Sequence, residues 1–168
     1  MRKKKLVLLG MVVVILVIAA VLIIIRGRDK SPTASEEEIA SMITDVICSE
    51  TMPGEDLPLS QQYANAVVNA VSYEIIKIED TGKAVVKFTY VDAMKMAEDY
   101  GPVTDPDEFY GFCIRQIQNN NTPMAEVTID IEYITLADGT KEIVDSIAFA
   151  DVLTGGAASE FLKLMEGW

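Results

Sequence analysis

Histidine is absent from all 168 residues. That removes Ser–His and Cys–His nucleophile pairs, and it removes the commonest zinc ligand. Cysteine occurs twice, as Cys48 and Cys113, too few and too far apart for a thiolate metal cluster. H-E-x-x-H, G-x-S-x-G and Walker motifs are missing as well. Positive charge is scarce: 14 Lys and Arg stand against 26 Asp and Glu, for a net charge of −12. Residues 1–30 hold seven basic groups and one acidic group, so that stretch carries +6 and the remainder −18. So acidic a domain is repelled by nucleic acid backbones, which need basic partners, and by anionic lipid headgroups. Solubility is the plainest use of such charge; attraction of cations or basic partners is the sharper one. Nothing in the sequence points to a cofactor or a metal.

What the sequence does have, first, is a long apolar run. "MRKKK" precedes "LVLLGMVVVILVIAAVLIII", 20 residues from Leu6 to Ile25 without a charge. At about 1.5 Å per residue, such a helix spans the roughly 30 Å hydrocarbon core of a bilayer. A cleaved signal peptide has an apolar region of only about 7–15 residues. Cleavage after Ala19 or Ala20 fits by residue size, but it would leave "VLIII" exposed. Length therefore favours an uncleaved anchor over residues 1–26, in contact with the bilayer through residues 6–25. Four basic residues before the run against three after it favour a cytoplasmic N-terminus. The rest of the chain is then extracytoplasmic, with an unidentified protein or small molecule as partner. Residues 27–34, polar with Gly and Pro, read as a linker.

An acidic domain follows over residues 35–168. "SEEE" from Ser35 to Glu38 is a capping box, and its helix is expected to run to about Ile47. "LSQQYANAVVNAV" has helical spacing. The period then changes to strands in "YEIIKI" and "AVVKFTYV", joined by "EDTGK", where Gly82 can take positive φ. "EVTIDIEYITL" alternates apolar and polar residues. With "ADGT" as its turn and "KEIVDSIAFA" as its return, it predicts a second hairpin. Between the hairpins, "DAMKMAEDYG" and "DPDEFYGFCIRQIQ" read as two helices. Asp105 caps the second and Pro106 takes its first position. Capping accounts for Asp105, Asp107 and Glu108 better than a calcium loop does, because the spaced ligands and turn glycine are missing. The sum is α+β: helices on one face of a four-stranded antiparallel sheet.

"YEIIKIEDTGKAVVKFTY" and the tail "DVLTGGAASEFLKL" carry a resemblance. The pattern resembles the cystatin-like and NTF2-like α+β domains that stand outside the membrane in many Gram-positive bacteria, behind a lipoprotein signal or an N-terminal anchor. The helical segment at about 92–121 departs from the simplest version, and no Cys follows the apolar run closely enough for a lipobox. The resemblance implies a binding or accessory module; some relatives of the wider fold are enzymes using a pocket Asp and Tyr.

Three residues are candidates for that chemistry. Tyr90 and Tyr133 fall on apolar strand faces, where core or rim packing also explains them. Asp145, by alternation along a return strand, shares a face with Ile143, Ile147 and Phe149. An acid there is either a pocket group or a sheet-edge residue. An Asp base with a Tyr donor could move a proton next to a carbonyl, as an isomerase does.

The cysteines leave two readings open. Outside the cell Cys48 and Cys113 could pair. Helical phase, however, turns Cys48 away from the apolar stripe and puts Cys113 within its own. Finally, "LTGGAASEFLKLMEGW" offers two glycines before a helix, but no basic residue at the turn to hold a phosphate. Gly155–Gly156 read instead as a bend off the last strand, with Thr154 as cap. The stripe Phe161, Leu164, Met165 and Trp168 reads as a face that seeks the core.

Overall fold

The computed structural model of the chain describes residues 33–54 and 56–166. The expected anchor at residues 6–25 lies outside them. Among the described residues, no helix is long and apolar enough to cross a membrane.

The first helix, α1 (Glu36–Ser49), opens with the capping box: Ser35 Oγ accepts from Glu38 N, and Glu38 reaches back to Ser35 N at 2.8 Å. Its Ile39, Met42 and Ile43 are buried. Helix α2 (Leu59–Asn69) follows and buries Val67 and Val68. Strands β1 (Ser72–Glu79) and β2 (Lys83–Val91) form the first hairpin. Gly82 sits in its turn at φ +79°, where a side chain would be strained. A bulge between Ile75 and Lys77 breaks the register of β1 and leaves Ile76 exposed.

Helices α3 (Ala93–Tyr100) and α4 (Pro106–Gln118) come next. Asp92 caps α3 through Lys95 N and Asp105 caps α4 through Asp107 N, and Pro106 occupies the first turn of α4. Strand β3 (Met124–Thr135) returns beside β2, with Val91 opposite Met124 and Lys83 opposite Glu132. With β4 at Lys141–Ile143, the antiparallel order is β1-β2-β3-β4. On the inner face Ala84, Val86, Phe88, Ile129, Ile131 and Tyr133 meet Ile39, Ile43, Phe149 and Val152 in the main core. The outer face is wet and charged: Lys83 pairs with Glu132 at 2.6 Å and Lys87 with Glu126 at 2.9 Å.

Three expectations need correction. The return of the second hairpin is short: β4 covers only Lys141–Ile143. "SIAFADVLT" forms helix α5 (Ile147–Thr154), because Ser146 Oγ caps Phe149 N at 3.1 Å and the apolar residues then fall at helical spacing. Second, the helices do not all lie on the sheet. A separate cluster of Val67, Met96 and Cys113 joins α2, α3 and α4 to the end of β2 at Val91. Third, the terminal helix α6 (Ala157–Glu166) does not bury the described part of its stripe: Phe161, Leu164 and Met165 are 63%, 66% and 61% exposed, and Trp168 lies outside the described residues.

The glycine bend is present, but it joins two helices rather than a strand and a helix. Gly155 ends α5 in a left-handed conformation, φ +67°, and its carbonyl accepts from Ala93 N at 3.1 Å. Thr154 caps the next helix through Ala158 N, and Asp151 does so through Ser159 N.

Candidate functional site

Tyr90, Tyr133 and Asp145 do not come together. Tyr133 is buried in the main core, and its hydroxyl accepts from Ala34 N at 3.1 Å. It anchors the chain ahead of α1 instead of facing an open pocket. Asp145 lies exposed between β4 and α5, because the strand on which alternation placed it ends at Ile143. It therefore shares no strand face with Ile147 and Phe149, which belong to α5.

Tyr90 is half-buried, and burial pushes its pKa up, with the carboxylates of Asp151 and Asp92 adding to the effect. These two acids, not Asp145, are the negative neighbours of Tyr90. Both are already engaged: Asp92 Oδ1 caps α3 through Lys95 N at 2.8 Å, and Asp151 Oδ1 caps α6 through Ser159 N at 2.8 Å. Their carboxylates hold helix ends, so a structural role accounts for them.

Both cysteines are unpaired, Cys48 exposed and Cys113 buried. Helical phase decides this: Val46 and Ile47 of α1 turn towards the core and Cys48 turns out, whereas Cys113 packs in the helical cluster. Burial pushes the Cys113 thiol up to about 11. In the same cluster burial pushes Tyr63 up to about 12, with smaller contributions from Cys113 and Tyr110. Tyr63 stacks on Tyr110 and meets Phe109 edge-on, at centroid distances of 5.5 and 6.2 Å. These rings are packing elements.

Among the described residues, no group of three or more His, Cys, Asp or Glu is arranged to hold a metal ion. What the surface does offer is a set of open depressions. One of about 620 Å³ lies beside the C-terminus of α4, where Gln116, Asn120, Asn121 and Thr122 meet Phe112 and Met96. Asn121 Nδ2 donates to Gln116 Oε1 at 2.8 Å, which orients the two amides. A neighbouring depression of about 510 Å³ shares Asn120 and Thr122 and adds Ala66, Ile117 and Met124. Thr122 Oγ1 is buried and has no hydrogen-bond partner. The amide-rich run "QIQNNNT" is the sequence signal for this region, and its polarity reads first as a helix stop.

A third depression, of about 460 Å³, runs between the last turn of α1 and helix α5. Val46, Ile147, Phe149 and Leu153 give it an apolar floor, with Glu50 and Asp145 at its rim. Asp145 is the one sequence candidate that lines it; neither Tyr90 nor Tyr133 does. Reading the α5 segment as a strand hides this groove, because only a helix turns Ile147, Ala150 and Leu153 to one side.

Comparison with models of known protein families, with curated proteins and with solved structures finds no match.

Proposed function

We propose that the chain is a membrane-anchored binding or accessory module of the cell envelope. Residues 6–25 hold it in the bilayer, its N-terminus is cytoplasmic and its acidic α+β domain is extracytoplasmic. The 20-residue apolar run and the basic residues ahead of it support the anchor. One antiparallel sheet with α1 across its inner face supports the likeness to cystatin-like and NTF2-like domains.

The observation that carries the binding reading is the filled space beneath the sheet. An Asp/Tyr pocket enzyme of this architecture needs an enclosed cavity there. Ile39, Ile43, Phe88, Phe149 and Val152 are all buried in that position. Among the described residues, open depressions lie at the α4 terminus and between α1 and α5, where a partner approaches from outside.

Cys48 provides the test of location. It is exposed and unpaired, while Cys113 is buried, so a membrane-impermeant maleimide reports on Cys48 alone. Intact cells should label, and a C48S variant should not. Labelling only after lysis overturns the extracytoplasmic assignment.

A further inference from the structure

The acids of this domain differ in whether the fold uses them. Asp92 and Asp105 cap helices, and Glu126 and Glu132 pair with lysine. Glu50 and Asp145 make no ion pair among the described residues, and both stand at the rim of the depression between α1 and α5. Asp145 at least suits the positive end of α5, which begins two residues later. Glu50 has no such use. It is the C-terminal cap of α1, whose last turn holds no basic residue, so its charge adds to the negative end of the helix dipole.

The described domain has no spare lysine to answer these charges. Lys77, Lys83, Lys87, Lys95, Lys141 and Lys163 are each already paired with an acid elsewhere. Arg115, the other cation among the described residues, belongs to α4 and does not line the groove. Between the two acids the floor is apolar. Phe149 lies buried at its base, Val46 and Leu153 are half-buried, and Ile147 is 50% exposed.

We infer that the α1–α5 groove receives a basic amphipathic peptide segment of another protein, with apolar side chains on the floor and Lys or Arg against Glu50 and Asp145. Charge complementarity selects this occupant. A second copy of this acidic domain is repelled by the rim, and a neutral apolar segment leaves both carboxylates unanswered. Glu50 closes α1 and Asp145 precedes α5, so the two charges belong to different walls, and a chain with spaced cations meets both. An apolar groove between helices takes such a segment as an amphipathic helix. The inference rests on the binding reading above and adds the class of partner.

Photocross-linking to the full chain in phosphatidylcholine nanodiscs tests this. The probes are an amphipathic Leu/Lys peptide bearing a benzophenone and a twin with Glu for every Lys. Adducts of the Lys peptide should map to α5 and to residues 46–50, about fivefold above those of the Glu twin. E50Q/D145N should remove that difference, and I147D should remove the adducts without changing the thermal melt. Equal labelling by the twin, a difference that survives E50Q/D145N, or no adduct in the groove overturns the inference. A groove that labels only in R26S/R28S/K30S is filled by the chain's own basic stretch, which also overturns it. In cells, a photoreactive maleimide on A150C or N121C, each in a C48S background, separates this inference from the binding reading. An adduct at A150C that E50Q/D145N abolishes supports both. An adduct at N121C alone overturns the groove and keeps the binding reading; none at either position overturns both.

Discussion

The buried N–H of Ala34 donates to the hydroxyl of Tyr133, 99 residues later in the chain, at 3.1 Å. Through this bond the segment that enters α1 is fastened to the middle of the sheet. Thr33 adds a second tie, donating to Asp80 in the first hairpin turn. Tyr133→Phe keeps the ring and removes the acceptor. It leaves a buried N–H unpaired, which costs about 1–3 kcal/mol. Urea denaturation should show a lower midpoint with an unchanged slope; a midpoint equal to wild type would show that the bond contributes nothing.

Gly155→Ala should destabilise more. The added Cβ meets Ala93 Cβ at 2.7 Å and the Val91 carbonyl at 2.8 Å, and the residue holds φ +67°. Overpacking and a left-handed non-glycine residue together cost about 2–4 kcal/mol. Gly139→Ala is the informative control. Its φ is +88°, but nothing lies within 4 Å, so it isolates the backbone strain from the clash. The 155 variant should lose distinctly more stability than the 139 variant in the same denaturation series.

The Glu38–Lys141 pair makes stability depend on acid. Lys141 donates to Glu38 at 2.7 Å, and with Ser35 N it holds the Glu38 carboxyl below its ordinary value of 4.5. A lowered carboxyl contributes fully above the unfolded value. The contribution is lost as pH falls below that value and through the folded one. Glu38→Gln should therefore reduce stability at pH 7 and flatten the decline below about pH 4.5. Thermal melts of both proteins from pH 7 to pH 3 provide the measurement, and parallel curves would rule the pair out as a contributor.

The thiols should separate by rate. Cys48 is exposed and Cys113 is buried, with burial holding the Cys113 thiol up to about 11. At pH 8 a thiol reagent should consume one equivalent promptly and the second slowly, becoming prompt on denaturation. The rate of the second should follow opening of the α2–α4 cluster, and Phe112→Ala should speed it. Equal prompt reaction of both would contradict the packing around Cys113.

Much of this fold could be read in the sequence wherever a local signal and the tertiary environment agree. Ser35–Glu38 made its capping box, Asp105–Pro106 opened α4, and Gly82 turned the first hairpin. Alternation along β3 placed Ile129, Ile131 and Tyr133 inside and Asp130 and Glu132 outside. The segment after Ile143 was ambiguous because Ile143, Ile147 and Phe149 fit a period of two, while Ile147, Ala150 and Leu153 fit a helix. Ser146 broke the tie by capping Phe149. That one switch also displaced Asp145 from the site expected for it. The stripe of α6 was legible as amphipathic, but periodicity does not say what an apolar face meets. The groove between α1 and α5 was not legible, since it arises only when two helices distant in sequence lie side by side.

The helical segment between the hairpins leaves and re-enters the sheet at one point. Asp92 N donates to Pro123 O at 2.9 Å, and Val91 stands opposite Met124. Residues 93–122 thus behave as a guest inside a host. Their apolar cluster, built on Met96 and Cys113, is completed by the host, by Val67 of α2 and Val91 at the end of β2. Such an excursion can change in length and sequence only where it spares the faces that meet α2, the end of β2 and Gly155, which confines its freedom to the outward sides of α3 and α4.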